Sequence, residues 1–380
     1  MFSTVLVVML SACGNGKSSD TLTLLPKADT KSGKFGYVNL RGKEIIPFKY
    51  DHAEDFSDGF ANVTLNNKKI FINQEGQEFE SIGDMSDDLR TVMTNKKYGF
   101  ADITGQVVIP VQYNAAGKFS DGLAPVLMTT NNPPLASITS YGFIDKTGTV
   151  VIPFQYDAAN YFSEGLAAVA QKGKGFGFID KTGQVVIPLK YDEVFPFSDG
   201  LAKVWLKKWG YIDKTGNVVV PLKYDAIRDF SEGLALVMLN RKCGYVDMNG
   251  KEVIPLKFGG GRDFSEGLAM VTLSGMKENV PAQYSRLISE GIILPGIDTF
   301  GYIDKTGKEI IHMKYDDAKP FSGGFAAVKL NNKWGFIDST GNVVIQFEYD
   351  DANSFSEGKA KVKSNQKEFY IDTKGNEVQE

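Results

Sequence analysis

The sequence predicts an all-β fold of tandem 34-residue, three-stranded β-meander repeats forming an open β-solenoid or superhelix. Three observations predict it. Segments such as "GYIDKTGNVVVPLKYDAIRDFSEGLA" recur along about residues 22 to 378 of the 380, at a dominant period of 34. Within each period, β-branched and aromatic residues alternate with polar ones and are broken by Gly or Pro every few positions, so no run is long enough for a helix pair. The chain holds forty glycines, and ten of them fall at one fixed offset from the phase marker, as closely spaced turns require. The alternative is a set of β-propeller-like rings, but rings close at about four to eight blades and ten or eleven units are present here.

The glycine of the Gly-aromatic-Ile-Asp stretch marks the phase, at Gly36, Gly99, Gly142, Gly177, Gly210, Gly244, Gly301 and Gly335. Two copies keep the frame with Ile70 and Phe369 in that slot. The first strand of a unit is typified by Leu201–Leu206, whose alternation puts Ala202, Val204 and Leu206 on one face and Lys203 and Trp205 on the other. The second strand carries the marker glycine. A tight turn follows, in which Asp or Asn always stands three residues before Gly, as Asp213 stands before Gly216. Asp accepts backbone N–H groups there and Gly supplies a positive φ. The third strand, "NVVV", is expected to end at Pro221 and its equivalents, because Pro lacks an N–H donor. An irregular crossover then leads to the next unit, its Tyr and Phe pinning it to the sheet. A unit this small cannot bury its apolar face alone, so neighbours must share a core.

Three spacings depart from the period by more than one residue. The 43 holds an enlarged loop, Met128 to Ser140, and the 57 holds "VPAQYSRLISEGIILP", read as an eroded eleventh unit or a plain loop; the 29 is left without a reason. The resulting organisation is 1–12 signal peptide, 13–21 lipidated N-terminus and tether, 22–273 repeats, 274–299 eroded repeat or insertion, and 300–380 repeats with a C-terminal cap.

Two resemblances follow from these residues. The apolar run from Val5 to Leu10 followed by Leu10-Ser11-Ala12-Cys13 resembles the signal peptide and lipobox of bacterial lipoproteins. The resemblance implies acylation of Cys13 and anchoring of the chain in the cell envelope. An ordinary secretory signal is the alternative, and the absence of Lys or Arg before the run departs from the lipoprotein pattern. Lys208-Trp209-Gly210 and Lys333-Trp334-Gly335, followed by "YIDKTG" or "FIDSTG" and then by Tyr-Asp and "FSEG", resemble the WG-repeat (KWG-repeat) family. That resemblance covers about residues 22 to 378. It implies a bacterial β-repeat protein, often envelope-associated, with no shared catalytic residues.

Chemistry is sparse. A formal charge of −4 from 42 basic and 46 acidic residues leaves no basic footprint for nucleic acid. The two histidines, His52 and His312, replace unrelated residues of other copies, so no His-based triad or metal site is expected, and no cofactor. Cys243 fills an aromatic slot and reads as a small buried thiol. Nine near-copies of "FSEG" read as turns rather than active sites. Asp157, Asp192, Asp225, Asp316 and Asp350 align one per unit, too dispersed for a calcium loop.

One pattern suggests a surface. The slot after the inward Val holds Thr or Lys in some units but Met93, Leu127, Trp205 and Met238 in others, extended by Leu236 and Met270. If outward-facing, these residues form an apolar stripe for a partner; otherwise the crossover covers them as a second layer of core. The sequence thus favours a lipid-anchored, non-catalytic binding or scaffold module for a protein or glycan partner of the envelope. A carboxylate-based envelope hydrolase and a passive spacer are the alternatives.

Overall fold

A computed structural model describes residues 23–130, 138–272 and 299–379. Cys13, the proposed signal segment and most of the eroded unit lie outside the described residues, as does the centre of the loop Met128 to Ser140. Among the described residues every regular element is a strand, arranged in small antiparallel sheets. None is a helix long and apolar enough to cross a membrane. The chain divides into two compact units, 1–138 with 144–149, and 139–143 with 150–380.

In the second unit, the repeat around Gly210 shows how each sheet forms. Leu201–Leu206 pairs with Lys208–Asp213, which pairs with Val218–Tyr224. These are the three strands read from the sequence. The crossover adds a fourth, Glu193–Val194, pairing with Trp205 and Val204. Two residues are too few for an alternation to show, which is why sequence reading leaves them as crossover. The first unit repeats the plan, opening with a three-stranded sheet, Leu24–Ala28, Phe35–Asn39 and Glu44–Tyr50.

Pro221 does not end its strand. The strand runs on to Tyr224, and Pro221, Leu222 and Lys223 lie opposite the single residue Gly210. Pro is tolerated because it stands in a bulge on an edge strand, where its missing N–H leaves no acceptor unpaired. The bulge brings the backbone down onto the glycine: a Cβ on Gly210 would lie 2.4 Å from the Val220 carbonyl oxygen. All eight marker glycines show this approach, at 2.4–2.7 Å.

The Ile70 copy lacks it. There the third strand shrinks from seven residues to two, Glu78–Phe79, so nothing crosses above the slot. Those five missing residues equal the shortfall of 29 against 34. The Phe369 copy likewise has a two-residue third strand, Glu377–Val378.

The core forms between successive sheets. Ala202, Val204 and Ile212 pack against Phe178, Ile187 and Tyr191 of the preceding repeat. On the other face, Leu201, Tyr211 and Val220 pack against Ala235, Val237 and Val246 of the following one. Each central strand is therefore buried on both faces. The crossover Phe pins itself edge-on to the second strand, with ring centroids of Phe178–Phe197, Tyr245–Phe264 and Tyr302–Phe321 4.8–5.0 Å apart.

Candidate functional site

Most of the polar residues that recur are consumed by the scaffold. In the second-to-third-strand turn, Gly216 has φ +87 and its N–H donates to the Asp213 carbonyl at 2.9 Å. Asp213 Oδ1 accepts the Thr215 and Asn217 N–H groups, each at 2.9 Å, and the Thr215 hydroxyl at 2.7 Å. These donors, the Thr215 hydroxyl foremost, hold the Asp213 carboxyl down at about 2. Every turn glycine at this offset, from Gly42 to Gly375, has a positive φ.

The "FSEG" motif is a two-residue turn in which acid and glycine both have positive φ, as at Glu232 and Gly233. It also joins neighbouring repeats. Ser231 Oγ donates to the Phe264 carbonyl at 2.7 Å, and Glu232 accepts the Gly267 N–H at 3.1 Å and Lys305 at 3.0 Å. The same bonds run from Ser163 to Phe197 and from Glu164 to Gly200. Ser and carboxylate are thus staples, and the Glu164 carboxyl is held below its usual range, chiefly by Lys214.

The aligned aspartates have an equally local role. Asp225 accepts Lys208 and the Asn240 N–H, and Asp350 accepts Lys333 and the Asn365 N–H. The lysine of each Lys-Trp-Gly stretch therefore pairs with the aspartate of its own repeat, which also caps the following hairpin. No group of three or more His, Cys, Asp or Glu is arranged to hold a metal among the described residues. His52 and His312 are exposed, and Cys243 is buried, its thiol pushed up by desolvation.

The apolar stripe needs correction. Leu236 and Met270 are only 7% and 6% exposed. Leu236 packs on Phe264 and Val271 of the next repeat, and Met270 on Ala326 and Val328. Period two places them correctly on the face opposite Val, but that face meets the following repeat instead of water. Met93 and Leu127 in the first unit, and Trp205 and Met238 in the second, are half-buried. Trp205 packs against Trp209 at a tilt, with ring centroids 5.1 Å apart and planes at 58°.

A cleft lies near that pair, in the second unit, and sequence reading missed it. Tyr161, Phe195, Pro196, Ser198, Lys203 and Asp229 are among the residues enclosing about 420 Å³. Lys203 Nζ bonds Asp229 at 2.5 Å and sits 4.2 Å over the Phe195 ring, which lies 5.9 Å from Trp209. Phe195 and Tyr161 are 38% and 36% exposed. The signal was present: the slot of Phe195 holds Glu54, Asn160, Arg228, Lys319 or Asn353 in other copies, and that of Tyr161 holds Asp229, Asp263 or Ser354. Both are the sole aromatics in slots that otherwise carry polar side chains, glycine or, in the slot of Tyr161, proline (Pro196, Pro320) among the described repeats.

With repeat and cleft described, comparison with known proteins gives the family. The family model of the WG containing repeat matches residues 35–68, 98–129, 141–174, 176–204, 209–243, 244–276, 300–334 and 334–367. The chain belongs to the WG-repeat family. No curated protein sequence matches it. Among solved structures, the chain is similar to one titled a eukaryotic initiation factor at 14% identity and a TM-score of 0.39, covering 91% of this chain and 97% of that one. It is also similar to the extracellular domain of the putative hybrid two component system BT3049 from B. thetaiotaomicron, at 12% identity and a TM-score of 0.28, covering 91% and 53%. A third likeness is to a protein of unknown function from Bacteroides caccae, at 13% identity and a TM-score of 0.24, covering 76% and 92%. Within this WG-repeat chain, the Lys, Gly and Asp of the signature are each explained by a contact inside the repeat.

Proposed function

We propose that this WG-repeat chain is a lipid-anchored, non-catalytic binding module of the cell envelope, taking a protein or glycan partner. One observation carries the binding role. Residues that recur are used in turns, staples and core, whereas Tyr161 and Phe195 depart from the repeat together and meet at one cleft. A scaffold under no binding requirement has no reason to expose two aromatics where its other copies carry polar residues, glycine or proline. The hydrolase reading loses two of its crossover carboxylates, since Glu164 and Glu232 are engaged between repeats with lowered pKa values. Anchoring rests on Leu10-Ser11-Ala12-Cys13.

The test uses the full chain in two forms. Wild type is expected in the membrane fraction and Cys13→Ser in the soluble fraction. From detergent-solubilised envelope, wild type should retain a partner that Phe195→Asn, folded equally well, releases. Equal retention by the variant overturns the cleft, and a wild type that retains nothing favours the passive spacer.

A further inference from the structure

The cleft has a chemistry that narrows the partner. Its two aromatic side chains come from consecutive crossovers, and Ser198, Asp199, Lys203 and Asp229 stand beside them. The Lys203 side chain is 12% exposed and held in place, by Asp229 on one side and the Phe195 ring on the other. Asp229 itself is 84% exposed at its side chain, so its carboxylate remains accessible while fixed by the lysine. One cation against two carboxylates leaves the lining slightly negative, which disfavours phosphates, nucleic acid and acidic glycans.

We propose, resting on the binding reading above, that this cleft takes a neutral oligosaccharide. A pyranose ring offers an apolar C–H face ringed by hydroxyls. Tyr161 and Phe195 supply rings for the first, and Asp199, Ser198 and Asp229 supply acceptors and donors for the second. The enclosed volume, about 420 Å³, is at the small end of ligand sites and suits a short stretch of chain rather than a folded partner's surface. The packing of Phe195 against Trp209 and Lys203 keeps the rim in one arrangement before binding, which lowers the ordering cost. No other described repeat has an aromatic in either slot, so the site belongs to this position alone.

The chain contains three tryptophans; one of them, Trp209, packs against the cleft residue Phe195, and Trp205 packs against Trp209, so intrinsic fluorescence reports on the cleft. The full chain is titrated with neutral tetrasaccharides of the cello-, xylo-, manno- and chito- series. At least one should give a saturable change. Phe195→Asn and Tyr161→Ser, each introducing a residue another repeat carries in that slot, should weaken it about tenfold or more, with melting temperature unchanged. Should either variant melt early, Asp199→Asn, at an exposed turn on the rim, takes its place and should also weaken binding. No saturable change up to about 10 mM of any sugar, or equal affinity in wild type and variants, overturns the proposal. If envelope material still binds wild type and not Phe195→Asn in that case, a protein occupies the cleft: the saccharide inference falls and the binding-module reading stands. If neither sugars nor envelope material distinguish the variants, both fall.

Discussion

Gly210 lies beneath the Val220 carbonyl so closely that a single added carbon would come within 2.4 Å of its oxygen. The atom in the way is backbone, held by the bulge at Pro221, and cannot rotate aside. Gly210→Ala is therefore expected to destabilise by about 1–3 kcal/mol or more, as overpacking does. The check is the urea midpoint of the variant against wild type. An unchanged midpoint would show that the bulge can lift off the glycine.

The glycine was legible as a marker of phase, but its cause was not. Val220 is ten residues away along the chain, on the next strand, and only the register shift at Pro221 brings it overhead. Turn chemistry read differently: Asp213 and Gly216 act on each other across three residues, and local rules sufficed. The stripe failed for a third reason. Alternation assigns Leu236 to a face, but not what lies opposite that face.

Leu236 and Trp205 separate these cases by experiment. Leu236→Ala should cost about 2–4 kcal/mol, because the side chain is buried between repeats. Trp205→Ala removes a half-buried ring packed at a tilt against Trp209 and should cost less, about 1–2 kcal/mol. Thermal or urea unfolding of both variants decides. A Leu236→Ala variant as stable as wild type would return Leu236 to the surface.

Gly216→Val should destabilise by about 1–3 kcal/mol, since φ +87 is strained for a β-branched residue. Asp213→Ala, at an exposed turn, should cost about 1 kcal/mol. The order of the two in a denaturant series is the readout. A larger loss for Asp213→Ala would make the hydrogen bonds, rather than the backbone, the main constraint.

Acid stability has a defined window. The turn carboxyls of Asp213 and Asp338 are held at about 2 against a normal 3.8, their Thr hydroxyls being the first cause. The unfolded chain therefore takes up more protons as pH falls. The stability these groups contribute is fully present above about pH 4 and is lost as pH falls toward 2. Melting temperature followed from pH 7 to pH 2 should drop mainly in that interval. A rise below pH 4 would contradict the assignment.

The central claim is that repeated positions build the scaffold and the departures at Tyr161 and Phe195 bind the partner. The most direct test is a paired measurement on the double variant Tyr161→Ser, Phe195→Asn: thermal melting and retention of envelope material by the same preparation. The account predicts a melting temperature within about 2 °C of wild type, as for surface substitutions, and loss of most retention. A melting temperature that falls steeply, with retention falling only in proportion, would make both aromatics part of the scaffold and contradict the claim.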